Sequence, residues 1–213
     1  MADLRTYHRD LLRHYGPQEW WPGETPFEVM VGAILTQNTA WKNVEKAIAT
    51  LKAYDLLDPH KIHALDQDTL ALAIKPAGYF NVKARRLKSF VEWFVTKHGA
   101  DVESLRRLAP DRLREELLAV KGVGPETADS ILLYALDLPS FVVDAYTYRV
   151  LTRHGLIGEE ATYDDLKEFV EKRLPRDVPL FNEFHALIVA VGKQYCRTKA
   201  RCEECPLKGH LPR

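Results

Sequence analysis

Apolar residues along this chain recur at helical rather than strand spacing. Phe27, Val31, Ile34 and Leu35 form one such face, three to four residues apart as an amphipathic helix requires. The start of that helix is marked as well. In Thr25-Pro26-Phe27-Glu28 a threonine is placed to cap, proline takes the first helical position, and glutamate stands at the third. The pattern predicts further helices over 41–54, 66–74, 81–97, 102–108, 111–120, 125–136, 145–154, 163–174 and 181–196. Pro76, Gly78, Gly99, Pro110, Gly155 and Pro175 separate them. No run alternates with a period of two, and no internal repeat or low-complexity segment interrupts the pattern. The expected fold class is all-α.

Between the helices predicted over 111–120 and 125–136 lies Lys121-Gly122-Val123-Gly124-Pro125. Proline opens the second helix, and the glycines permit φ > 0 and keep Cβ atoms away from the backbone amides. Amides bared at a helix start attract anions, a phosphate among them. An ordinary helix–turn–helix corner accounts for the same residues. Downstream, an apolar run Phe141-Val142-Val143 ends on Asp144. Aspartate there suits a helix N-cap, and it equally suits acid–base or electrostatic work.

Composition narrows the picture only a little. The chain of 213 residues carries 30 Lys and Arg against 30 Asp and Glu, so a net basic field does not announce a nucleic-acid partner. Local basic patches remain, Lys83-Arg85-Arg86-Lys88 and Lys193-Arg197-Lys199-Arg201, each of which also reads as a solvated helix face. The N-terminal stretch 1–12 is polar and has no signal core. The apolar stretch 131–143 is broken by Asp137, Pro139 and Ser140, so no membrane span is expected. Cys196, Cys202 and Cys205 cluster near the C-terminus, which points to a reducing cytoplasm and a metal rather than disulfides.

Taken together, Leu117 to Ala128, Phe141-Val142-Val143-Asp144, Leu35-Thr36-Gln37-Asn38 and the terminal cysteines resemble the endonuclease III superfamily of helix-hairpin-helix DNA glycosylases. The resemblance covers almost the whole chain. It implies two helical domains flanking a cleft, a damaged base flipped out of double-stranded DNA, and cleavage of its N-glycosidic bond. The corresponding division is 22–132 for the domain with the hairpin, and 1–21 with 133–213 for the domain with the cysteines. Asp144 falls at the catalytic aspartate, followed by Ala145-Tyr146 where members often have Thr-His. The hairpin residues Lys121, Gly122, Val123 and Gly124 would contact the DNA backbone. Gln37 would fill the hole left by the flipped nucleotide, and Tyr79 would wedge in from the opposite side. Without the resemblance, Gln37 is a polar helix end and Tyr79 a loop anchor.

Position 126 separates the branches. Bifunctional members carry a lysine there, whose amine forms a Schiff base and permits β-elimination; this chain has Glu126. Together with Trp20-Trp21-Pro22 and Trp41, this resembles the 3-methyladenine glycosylase branch. It implies a base pocket of Trp20, Trp21, Pro22, Trp41 and Glu126, suited to cationic alkylpurines through stacking and cation–π contact. Core packing is the competing role for the tryptophans. The expected function is a monofunctional, monomeric glycosylase in the cytoplasm, associated with the nucleoid. The alternatives are a bifunctional lyase acting on oxidised pyrimidines with Lys121 as its amine, a mismatch adenine glycosylase, and a non-catalytic DNA-binding module.

The cysteines resemble the family's iron–sulfur loop, with the first spacing one residue short and the fourth cysteine absent. A 4Fe-4S cluster normally takes four thiolates, so His210 or an exogenous group would complete it. Zinc held by three cysteines and a histidine is the runner-up.

Overall fold

A computed structural model describes residues 3–18, 20–21 and 23–212. Among them the chain is helical throughout and contains no strand, as the periodicity predicts. It divides into two compact units, 21–138 and 1–20 with 139–213.

The first unit contains α2 (Pro26–Leu35), α3 (Trp41–Ala53), α4 (Pro59–Ala64), α5 (Gln67–Ala73), α6 (Phe80–His98), α7 (Val102–Arg106), α8 (Pro110–Leu118) and α9 (Pro125–Ser130). The α2 helix is the hub. Phe27 through Leu35 are all buried, so it is apolar on every side rather than on the single face the spacing suggested. It packs on α3, α6 and α9. Its start follows the sequence cue, with Glu28 N donating to Thr25 Oγ1 at 3.1 Å. The Glu28 carboxylate, however, pairs with Lys52 Nζ at 2.9 Å and accepts from Glu24 N at 3.3 Å.

The helix predicted over 125–136 changes character midway. After Ser130 the chain widens into a π turn, Ile131–Ala135, closed by Leu136 N donating to Ile131 O at 3.2 Å. Such turns insert a residue that regular periodicity does not reveal.

The second unit contains α1 (Leu4–Tyr15), α10 (Ala145–Arg153), α11 (Tyr163–Glu171) and α12 (Val178–Gln194). The α12 helix packs against α1 and α10. Two helices here and above escaped the pattern reading. The α1 helix buries Leu4, Tyr7 and Leu11, a stripe hidden in an otherwise polar segment. The α4 helix buries only Ile62, too little for periodicity to register. Tyr146, in place of the family's histidine, has a matching partner: a Cβ on Gly192 would lie 2.5 Å from its ring. Gly192 therefore lets α12 approach that aromatic closely.

Candidate DNA-binding and catalytic site

In the hairpin the glycines divide their labour. Gly122 has φ +94°, and a Cβ there would collide with the Arg86 stem. Gly124 instead is extended (φ −97°, ψ 176°) and caps α9, so only Gly122 uses the positive φ that both glycines permit. A Cβ on Gly124 would meet nothing; its absence keeps the amides at the helix start open to a ligand. Beneath the turn, Arg114 of α8 grips Asp129 of α9, with Nε donating to Oδ1 at 2.9 Å and NH2 to Oδ2 at 3.2 Å. Asp129 is 0% exposed. Sequence reasoning overlooked this pair, although Arg and Asp on facing helices of the motif were its signal.

Gln37, just past α2, reaches the hairpin. Its Nε2 donates to Gly122 O at 3.1 Å and to Thr127 Oγ1 at 2.9 Å, while Arg86 NH1 donates to its Oε1. Tyr79 stands 73% exposed at φ +45°, an uncommon conformation for a bulky residue and one that concentrates at functional positions. Lys121 and Val123 flank the turn, the first exposed and the second buried. Glu126 is exposed at the second position of α9.

Of the basic residues in the patch 83–88 only Arg85 is exposed. Lys83 is buried, and Lys88 Nζ donates to the carbonyls of Ile62, His63 and Leu65 at 3.2, 2.6 and 2.8 Å. Both amines close helix ends. Charge counting along the sequence cannot tell a lysine that caps carbonyls from one that faces solvent.

Among the aromatics, Trp21 meets Trp41 edge-on with centroids 5.0 Å apart, and stacks on Tyr134 at 4.8 Å. Tyr134, missed by the sequence reading, sits in the π turn. The Trp41 indole nitrogen is buried with no hydrogen-bond partner, an orphaned donor that protein interiors rarely retain. Trp20 belongs to the other unit, where its ring lies 6.4 Å from His185 and 5.6 Å from Lys193 Nζ. Pro22 lies outside the described residues.

Asp144 is an N-cap: its Oδ1 accepts from Thr147 N at 2.7 Å. Its Oδ2 lies 3.7 Å from His185 Nε2. Burial acts to raise its carboxyl, but the His185 imidazole and the Thr147 hydrogen bonds prevail and hold it below the ordinary carboxylate value. The cap consumes one oxygen and leaves the other beside a histidine that the sequence reading did not select.

Cys196, Cys202 and Cys205 line one cavity with Arg153, Arg201 and Lys208, and Arg153 NH1 lies 3.6 Å from Cys196 Sγ. Burial, with the two neighbouring sulfurs, nevertheless pushes the Cys205 thiol up. Among the described residues no three His, Cys, Asp or Glu side chains already converge as a metal-ligand group. His210, one of the two candidates for a fourth ligand, does not line the cavity; its Nε2 is 2.8 Å from Asp10 Oδ2 and its ring packs on Tyr7. The sulfur donors suit iron–sulfur or zinc chemistry, whereas His210 is already engaged on α1.

Residues 31–176 match the model of the HhH-GPD superfamily of base excision DNA repair proteins. A protein of Methanocaldococcus jannaschii, MJ1434, provisionally named a DNA repair glycosylase, is 54% identical over 94% of this chain and 92% of its own. Endonuclease III of Thermotoga maritima is 32% identical over 87% of this chain and 82% of its own. Among solved structures, the 3-methyladenine DNA glycosylase MagIII of H. pylori, bound to 1,N6-ethenoadenine, is 32% identical with a TM-score of 0.76, covering 91% of this chain and 98% of that one. A non-covalent endonuclease III–DNA complex is 21% identical with a TM-score of 0.82, covering 98% of this chain and 93% of that one; it shares the fold.

Proposed function

From its membership of the HhH-GPD superfamily, which makes this chain a base excision DNA glycosylase, we propose that it is monofunctional and excises flipped-out alkylated purines of the 3-methyladenine and 7-methylguanine type. The observation that carries this reading is Glu126, at the second position of α9 just past the hairpin. A glutamate has no amine for a Schiff base. Lys121 is exposed, lacking the desolvated setting that activates a lysine nucleophile.

In the reaction, water oxygen bonds to the sugar's anomeric carbon as the carbon–nitrogen bond to the base breaks. An alkylated purine already carries the positive charge, so it leaves neutral and needs no acid. Asp144, kept ionised, stabilises the positive sugar of the transition state or takes the proton from water. The hairpin amides hold a phosphate, with Lys121 beside them. Gln37 and Tyr79 replace the stacking and pairing of the extruded base. Trp21, Trp41 and Tyr134 offer aromatic faces, and the orphaned Trp41 nitrogen offers a donor, for the base itself. The close likeness to a 3-methyladenine glycosylase supports the same substrate class.

Cys196, Cys202 and Cys205 would hold a 4Fe-4S cluster, which would cross-link the C-terminal loop, with the fourth ligand supplied from outside the protein rather than by His210. Iron content together with a visible charge-transfer absorption would support this, whereas zinc, which is d¹⁰, would leave the protein colourless.

The functional test is base release from duplexes bearing alkylated purines, ethenoadenine or oxidised pyrimidines, with borohydride trapping on abasic DNA in parallel. Release of alkylpurines without a trapped adduct supports the reading. A strong adduct that depends on Lys121 sinks the monofunctional claim, and release confined to oxidised pyrimidines sinks the substrate claim.

A further inference from the structure

One face of α6 carries two cations that belong neither to the open surface nor to the chemistry. Lys83 is 1% exposed. Its ammonium donates to Leu35 O at 2.9 Å and to Ala77 O at 2.7 Å. Leu35 is the last residue of α2, and Ala77 ends the short 3-10 turn Lys75–Ala77. Helix ends leave such carbonyls without an intrahelical partner, and a cation there also meets the negative end of the dipole. The arrangement is costly, because burial, followed by the Arg86 charge, pushes the Lys83 amine down to about 8.

The two carbonyls are not arbitrary. The chain runs directly from Leu35 into Thr36-Gln37, and from Ala77 into Gly78-Tyr79. One turn along α6, Arg86 donates to Gln37 Oε1, and its stem occupies the space above Gly122 that a Cβ would need. Lys83 and Arg86 thus connect the Gln37 segment, the Tyr79 loop and the hairpin.

We infer that Lys83 is a positioning residue: by tying the end of α2 to the end of the 75–77 turn it fixes the spacing of Gln37 and Tyr79, and Arg86 couples Gln37 to the hairpin, so that both side chains enter the duplex as one unit. The inference rests on the insertion roles proposed above. It does not depend on which base is excised.

The test uses the full-length protein and a duplex with 2-aminopurine beside a tetrahydrofuran abasic site, whose emission rises when its stacking is broken. In wild type the emission is expected to rise on binding. In Lys83→Met the rise is expected to be lost, and single-turnover base release to fall roughly 10²-fold, the scale set by displacement of positioning groups by about 1 Å. Affinity for undamaged duplex and its salt dependence should match wild type, because a buried amine touches no phosphate; loss of a phosphate contact would lower the salt slope by about one. Wild-type emission from a folded Lys83→Met protein, or a reduced salt slope, overturns the assignment. A wild type that gives no rise overturns the insertion roles, and this inference with them. If Lys83→Met does not fold, Arg86→Met is read for emission in its place. A lost rise supports the coupling, and an undiminished one overturns it.

Discussion

At the scale of single residues, Asp144 caps α10, and substitution can separate that task from the catalytic one proposed for the same carboxylate. Asparagine caps a helix about as well as aspartate but carries no charge. Asp144→Asn is therefore expected to melt within about 1 kcal/mol of wild type while base release falls by about 10²–10⁴-fold, the usual worth of a positioned acid–base group. A large loss of stability, or unchanged release, in the thermal melt and the single-turnover assay would contradict this division. The neighbouring His185 sets the pH range. Since it offsets the burial that acts to raise Asp144, His185→Leu should move the acid limb of the rate profile to higher pH. In wild type that limb should lie below the ordinary aspartate value of about 3.9. Asp144 itself was legible in the sequence as the carboxylate after an apolar run. His185 was not, because its pairing spans from α10 to α12 and leaves no local trace.

At the scale of elements, the hairpin shows why two glycines in one motif are not equivalent. Gly122→Ala introduces a side chain at φ +94° against the Arg86 stem, and should destabilise the protein by about 1–3 kcal/mol. Gly124→Ala is compatible with its extended backbone, and because alanine is a poorer N-cap than glycine it should cost about 1 kcal/mol or less. Its new methyl, however, stands beside the open amides and should weaken binding to undamaged duplex, as a fluorescence titration would record. The reverse pattern would show the glycines misassigned. Below the turn, Arg114→Leu leaves the Asp129 carboxylate buried without its guanidinium. About 3–5 kcal/mol of stability should be lost in a denaturant melt. The helices around the hairpin were legible from spacing and capping alone. The π turn was not, since its extra residue appears only where packing demands it, and it is this turn that carries Tyr134 to Trp21.

At the scale of the whole molecule, buried titratable groups shape stability at alkaline pH. Lys83 titrates at about 8 when folded and near 10.4 when unfolded. Between those values the unfolded chain binds the extra proton, so stability rises with pH across that window. Tyr7 acts oppositely: burial pushes it up to about 12, whereas an unfolded tyrosine ionises near 10, so its contribution declines above that value. The melting temperature should accordingly climb above pH 8 and turn down past about pH 10. In Lys83→Met the climb should be absent, and its persistence would mean that another group causes it. The sequence by itself determined the helical class, the hairpin with its glycines and proline, the carboxylate at 144 and the glutamate at 126, because each depends on local spacing or on the chemistry of one side chain. Only the tertiary structure decided which lysines are internal clamps, which histidine faces Asp144, that His210 turns to Asp10, and that Tyr134 joins Trp21. Those outcomes depend on burial and on partners distant along the chain, and a charge or an aromatic ring reads the same in sequence whether it faces water, a carbonyl or another ring.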